Sequence, residues 1–322
     1  MRGADYVIRR VGFALLTVFV ALTLNFILFR AAPGDAADAL GRCRNCTADF
    51  REALRAELGL DKSKLEQYGI YLKELAQGDL GRSFVTREPV WDELKGPLLN
   101  TLPMVALGTI LSIVFGVLVG VIAAWRRGTW ADWGSVSTGL VFWSLPTQWL
   151  GLMLVIAFAG ILPVAGLSDP FLQFSDPSWW TVFVDRMKHM ILPAMTLAIV
   201  LFGEYALITR SAILETLGED YVLTARAKGL KGWTIVHRHA LRNAWLPIVS
   251  LIAINLGFVV GGAILVEAVF SYPGIGLATY EAVLAKDYPV LQGSFLILTL
   301  AVVIANLVAD LLYFRLDPRV TA

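Results

Sequence analysis

Few residues in this 322-residue chain combine a reactive type with a spacing that chemistry could use. Cys43 and Cys46 form a Cys-x-x-Cys pair. A structural zinc needs two more ligands close by, and neither a second pair nor a near histidine follows. Thioredoxin-like exchange needs a βαβ setting, which the flanking sequence lacks. A local disulfide and a pair of free thiols both stay open. His189 stands alone, and His237 and His239 are two residues apart, which turns them to different faces of a helix. No phosphate loop, nucleophile elbow, zinc-protease or dinucleotide pattern occurs. The residues therefore point to no catalytic group and no metal site, and any ATP must be bound by another polypeptide. Three acids remain to be explained, Glu204, Glu267 and Asp310, because each lies inside an apolar run.

The elements that hold these acids follow from composition. Apolar residues make up 57% of the chain and charged residues 16%, against roughly 45–50% and 25% in soluble domains. Lys plus Arg (27) nearly balance Asp plus Glu (26), so no strong basic field points to nucleic acid. A helical span needs about 20 mostly apolar residues. Six runs qualify, at 11–29, 99–124, 134–162, 189–210, 246–270 and 289–314. The first is too long for a signal-peptide core and reads as a retained span. Pro146 and several glycines suggest a tilted or kinked third helix.

Charge sets the expected orientation. With six spans, the side holding both termini, 125–133 and 210–245 carries 13 positive and 6 negative charges. The other side carries 14 positive and 17 negative. The positive-inside rule then places both termini in the cytoplasm. The fold class expected is an all-α polytopic membrane protein. Its units are 1–32 (tail and first span), an extracytoplasmic insert at 33–97, and a five-helix core at 98–318 with a cytoplasmic loop at 211–245. Within the insert, Leu54, Leu58, Leu65, Tyr68, Ile70, Leu72 and Leu75 recur near helical spacing, broken by Gly59 and an Asp61-Lys62-Ser63 turn, and Gly78-Asp79-Leu80-Gly81 reads as a closing turn. Charged side chains in a membrane usually face a bundle interior or water. Glu204, Glu267 and Asp310 therefore read as interhelical or interfacial groups, or as part of a substrate path.

The segment 210–245 is too polar to span. Gly218 can stop a helix, and Asp220 is a good N-cap with Glu219 beside it. Arg226 and Lys228 suit the last turn, and Gly229 suits the C′ position. A second helical pattern runs from Trp233 to Asn243 and is expected to end before Pro247. The reading is a short, capped helix at the membrane face, with a basic loop near anionic lipid as the plain alternative.

In this segment, Asp220-Tyr221-Val222-Leu223-Thr224-Ala225-Arg226-Ala227-Lys228-Gly229-Leu230, Arg238-His239-Ala240-Leu241-Arg242-Asn243 and Leu246-Pro247 closely resemble the signature of binding-protein-dependent ABC importer permeases. The dipeptide/oligopeptide branch is the nearest in pattern. Further matches lie along the chain at Arg30–Asp35, Gly78–Ser83, Ser144-Leu145-Pro146-Thr147, Leu192-Pro193-Ala194, Phe270–Gly276, Asp287-Tyr288-Pro289 and Leu316–Arg319. Two departures stand out: Leu223-Thr224-Ala225 replaces the general Glu-Ala-Ala, and the stretch from Gly229 to Pro247 is longer than the general pattern.

The resemblance implies a type I importer permease fold in a bacterial inner membrane. Asp220, Tyr221, Thr224, Ala225, Arg226, Ala227, Lys228 and Gly229 would form the coupling helix that docks on an ATPase. The implied partners are a second related permease, two ATPase subunits carrying ATP and Mg, and an external binding protein delivering peptide. No cofactor is implied for this chain itself. Candidates for the path, which must meet a peptide's polar backbone, are Ser144, Gln148, Glu204, Asn255, Glu267, Asn306 and Asp310. Nickel–chelate or oligosaccharide cargo is the close alternative. A proton-coupled secondary transporter is the distant one, and no internal repeat of the kind such proteins carry is visible.

Overall fold

The computed structural model describes residues 3–31 and 61–316, and its regular elements are helices. Cys43, Cys46, Leu54, Leu58, Gly59 and the end of the chain from Asp317 lie outside the described residues. The first run falls in α1 (Gly3–Ala31). Helix α2 (Lys64–Ala76) begins at the expected turn, where Ser63 and Glu66 form a reciprocal capping box. The Ser63 hydrogen bonds hold the Glu66 carboxyl below its ordinary range. α2 lies against α1, with Phe26 packed on Tyr68 and Tyr71 and the Thr23 and Tyr68 hydroxyls 2.6 Å apart.

The second run lies in α3 (Val90–Trp125), which starts nine residues earlier than its apolar stretch. The reason is packing: Val90 and Leu94 are fully buried against Ile275, Ala282, Val290 and Leu291. Pro97 and Pro103 ride inside α3 without ending it. The third run is two helices, α4 (Trp130–Ser144) and α5 (Thr147–Phe158), bent by 103° at Leu145-Pro146. Leu145 is extended, as a residue before proline prefers. The kink expected from sequence is thus a complete break.

The fourth run lies in α6 (Trp179–Thr216), started by a Ser178 cap on the Thr181 amide. Helix α7 (Asp220–Ala227) follows. Gly232–Thr234 then leads through a π-helical stretch, Ile235–Ala240, into α8 (Leu241–Val269). The expected stop before Pro247 does not occur. Pro247 and Asn243 both lie on an exposed side, so the carbonyl that loses its amide partner need not be buried. α9 (Ile275–Ala285) and α10 (Tyr288–Leu316) complete the chain. Among the described residues four helices are long and apolar enough to cross a membrane, or five if the bent α4–α5 pair counts as one span. α8 covers the fifth run as one continuous helix.

The centre of the bundle is the pair α3–α6. Gly108, Ser112, Gly116, Gly120 and Ala124 recur every fourth residue on α3, and all are buried. A Cβ at Gly116 would meet the Phe202 carbonyl oxygen at 2.8 Å, and one at Gly120 the Ala206 carbonyl oxygen at 2.6 Å. Small residues at this spacing let two backbones approach where no hydrophobic effect drives them together. α4 joins α6 in the same way, with Gly139 pressed on Gly203.

Gly116→Leu should therefore separate α3 from α6 and destabilise the protein by at least about 1–3 kcal/mol, the usual range for overpacking. A Cβ at Gly134 meets nothing within 4 Å, so Gly134→Ala should keep or raise the melting midpoint. Melting of both variants in detergent checks this, and equal midpoints would remove the seam from its central role.

Candidate functional site

α7 is short, and its fixity comes from its ends and one buried edge. Its N-cap is Glu219, one residue before the Asp220 expected from sequence, and no side chain caps it. The C-terminal end is closed by backbone alone: the Leu230 amide bonds the Ala225 carbonyl at 3.3 Å and the Gly229 amide the Arg226 carbonyl at 2.9 Å. This is a Schellman closure, and it requires the left-handed Gly229, with φ +76°. Val222 is fully buried and Ala225 nearly so, packed with Ile235 and Leu217. Asp220, Tyr221, Leu223, Thr224, Arg226, Ala227 and Lys228 are exposed. Of the residues expected to dock, Ala225 is therefore an inward packing residue. Two anchors outside the expected docking set, Val222 within the motif and Leu217 before it, were visible only as apolar positions.

The same contact chain continues into the bundle. Ile235 opens the π-helical stretch, whose Val236 and Ala240 pack with Val117 and Val121 of α3, Ile213 of α6 and Ile248 of α8. Trp233 sits edge-on to Trp125 at the end of α3, with ring centres 5.0 Å apart, and stacks on His237. His237 Nδ1 lies 2.9 Å from the Trp233 carbonyl oxygen. Asn243 of α8 donates to the Tyr221 hydroxyl at 2.6 Å. Nearby, Arg210 grips Asp132 through Nε and Nη2 at 2.6 and 2.9 Å, and Asp132 also accepts from the Gly128 amide. The turn between α3 and α4 is thus bound to the end of α6. Asp132 and Arg210 are 78 residues apart, so no local pattern could pair them.

At the opposite end, two buried carboxylates gather separate sequence motifs. Glu267, a path candidate in the sequence, is instead fully enclosed. It accepts from the Thr101 hydroxyl at 2.6 Å and the Leu277 amide at 2.8 Å. The Phe270–Gly276 motif wraps this group closely. A side chain at Gly274 would collide with the carboxylate, and one at Gly276 would meet Ile264 Cα at 2.6 Å. Asp287 accepts from the Ser83 hydroxyl at 2.5 Å and from the amides of Phe84 and Val85 at 3.1 and 3.2 Å. The Gly78–Ser83 and Asp287-Tyr288-Pro289 motifs are therefore one interlock.

The other path candidates are dispersed. Asp310 on α10 forms an ion pair with Arg10 on α1 at 3.1 Å, an interhelical role. Ser144 and Gln148 are exposed on either side of the α4–α5 break, and Asn306 is exposed on α10. Glu204 on α6 and Asn255 on α8 meet, with the Asn255 amide donating to Glu204 at 2.9 Å.

A bundle of long apolar helices with one short capped helix braced at its end defines a membrane-embedded transport subunit. The family model described as binding-protein-dependent transport system inner membrane component matches residues 116–322, and the N-terminal model of the same system matches 4–105. The chain belongs to this family. It is 37% identical over 330 residues to the di/tripeptide transport system permease protein DppB of Pseudomonas aeruginosa, covering 98% of each. It is likewise 37% identical over 333 residues to the dipeptide transport system permease protein DppB of Escherichia coli K12, again covering 98% of each. The glutathione transport system permease protein GsiC of E. coli K12 is 34% identical over 319 residues. Among solved structures, inward-facing MetNI methionine ABC transporter matches with TM-score 0.55 at 19% identity, over 70% of this chain and 96% of that chain. This last match is a likeness of fold.

If α7 is held by its buried edge, Val222→Asp should release it, because an unpaired carboxylate there costs several kcal/mol of local stability. Hydrogen exchange of amides 222–229 should speed up at least tenfold while the melting midpoint barely moves. Leu223, 62% exposed, provides the contrast: Leu223→Asp should leave exchange as it is.

Proposed function

We propose that this chain is the permease subunit of an ATP-driven importer of short peptides, with dipeptides as the main cargo. The observation that carries this reading is α7: a helix closed by Gly229, exposed on one side and bolted on the other to the contact layer shared by α3, α6 and α8. The names of the similar permeases, dipeptide and glutathione among them, support small peptides over nickel chelates or sugars.

In this reading six spans cross a bacterial inner membrane, supplied by α1, α3, the α4–α5 pair, α6, α8 and α10. Both termini and the 211–245 loop face the cytoplasm, in keeping with the positive charge of that side. The chain divides into 1–32, an extracytoplasmic insert at 33–97 and a core at 98–318. It pairs with a second, related permease, and the two contact two ATPase subunits, where ATP and Mg bind. An external binding protein delivers the peptide.

The geometry explains how force could cross the membrane face. ATPase closure pushes on the exposed Tyr221, Leu223 and Arg226 side of α7. Because Val222 and Ala225 rest on Ile235, and Val236 and Ala240 rest on α3 and α6, the push moves the bundle instead of bending a loop. Two packed arrangements of the helices, biased by the nucleotide state, then give alternating access. Ser144, Gln148, Glu204, Asn255 and Asn306 are the polar groups available to a peptide backbone on the way.

The test is import by the complex reconstituted in liposomes with its binding protein. ATP-dependent uptake of Ala-Ala is expected, and its absence with every dipeptide tried would overturn the cargo. Gly229→Val places a β-branched residue at φ +76°, a conformation such residues resist. It should leave insertion and complex assembly intact and cut uptake per ATP at least tenfold. Normal coupling in that variant would remove α7 from the mechanism.

A further inference from the structure

Of the acids in the apolar runs, Glu204 has no cation beside it among the described residues. Glu267 is enclosed by donors, Asp310 is paired with Arg10, and Asp132 is gripped by Arg210. The Glu204 Oε2 accepts from Asn255, and its Oε1 has no hydrogen-bond partner among the described residues. The group is part-exposed, whereas the Asn255 that holds it is only 5% exposed. A buried amide thus holds a part-exposed carboxylate at the α6–α8 contact.

Its depth adds to the argument. Residues 190–203 of α6 carry no charged side chain, so Glu204 ends a long apolar stretch. It lies six residues from Arg210, about 9 Å along a helix at 1.5 Å per residue. The Asp132–Arg210 pair marks where charge resumes, and Glu204 lies inside that level. The same open side of α6 continues through Ile208, Ser211 and Glu215 toward α7. An unpaired acid at such a depth is costly, and its usual justification is a ligand or ion that meets it.

We infer that Glu204, oriented by Asn255, is a transient binding site for the ammonium group of the passing peptide. This deepens the importer reading and rests on it. A zwitterionic peptide that leaves water needs a counter-charge for its amino terminus, and a carboxylate with one oxygen unbonded among the described residues supplies it. The site should be weak, because release toward the α7 end must follow. Substrate choice at low concentration remains with the binding protein, while passage depends on Glu204.

The test uses the complete complex in liposomes with its binding protein and Ala-Ala. Glu204→Gln keeps the shape and an acceptor for Asn255 but removes the charge. Uptake per ATP should fall about tenfold, with half-saturating peptide unchanged and binding-protein-stimulated ATPase within twofold of normal. Glu204→Asp should recover most of the uptake, and Glu204→Lys should block it. The inference is overturned if Glu204→Gln transports normally, if Glu204→Asp is as impaired as Glu204→Gln, or if ATPase falls in step with uptake. A wild-type complex that imports no dipeptide would overturn the cargo reading and this site together. Normal wild-type import with an indifferent Glu204→Gln would overturn this site alone.

Discussion

Everything in this bundle is hung on the close approach of α3 and α6. In lipid, two apolar helices gain little from hiding from solvent, because the solvent is itself apolar, so their association depends on contact and shape. The stripe from Gly108 through Ser112, Gly116 and Gly120 to Ala124 supplies that shape by removing side chains where α6 presses in. With the backbones this near, Met104, Val105, Leu192 and Leu197 interlock at one level, and Val117, Val121 and Ile213 at another. The second level is the one on which the π-helical stretch and, through Ile235, α7 are seated. A short helix seated this way is only as rigid as what lies beneath it, and the seam provides the stiffness.

The two ends of the bundle are tightened by different chemistry. At the end away from α7, charge is buried and fully answered: Glu267 gathers Thr101 and the turn before α9, and Asp287 gathers the turn before α3. A buried carboxylate with several donors is directional, since loss of any one strands the rest in a poor dielectric. It therefore fixes one loop geometry where apolar packing would allow several. At the α7 end the fixation is mostly aromatic and aliphatic, with Trp125 against Trp233 and Val222 against Ile235. Such contacts are less directional and tolerate small rearrangement.

Between the ends, the break at Leu145-Pro146 bends the α4–α5 pair by 103°. The Leu145 amide reaches the Phe142 carbonyl at 3.3 Å and the Leu150 amide the Pro146 carbonyl at 3.1 Å, and Ser144 and Gln148 are exposed beside the break. Irregular backbone at membrane depth is tolerated where protein or a wet cavity covers it.

Much of this was legible in the chain itself. Apolar runs of twenty residues can only be helices in lipid, because each backbone polar group must find a partner within its own segment. The helical class and the left-handed closure at Gly229 followed from local rules for the same reason: their partners lie within six residues. The signature around Asp220–Gly229 likewise marks α7 in the chain itself. What the sequence could not decide was which distant groups meet. Three acids in apolar runs look alike in a sequence, yet one is sealed by Thr101, one is paired with Arg10, and one is held part-exposed by Asn255. The helix starts at Val90 and Trp179, the helix that continues through Pro247, and the Asp132–Arg210 grip were undecided for the same cause. Each depends on a surface supplied by a segment tens to hundreds of residues away, and only the packed bundle brings that surface into contact.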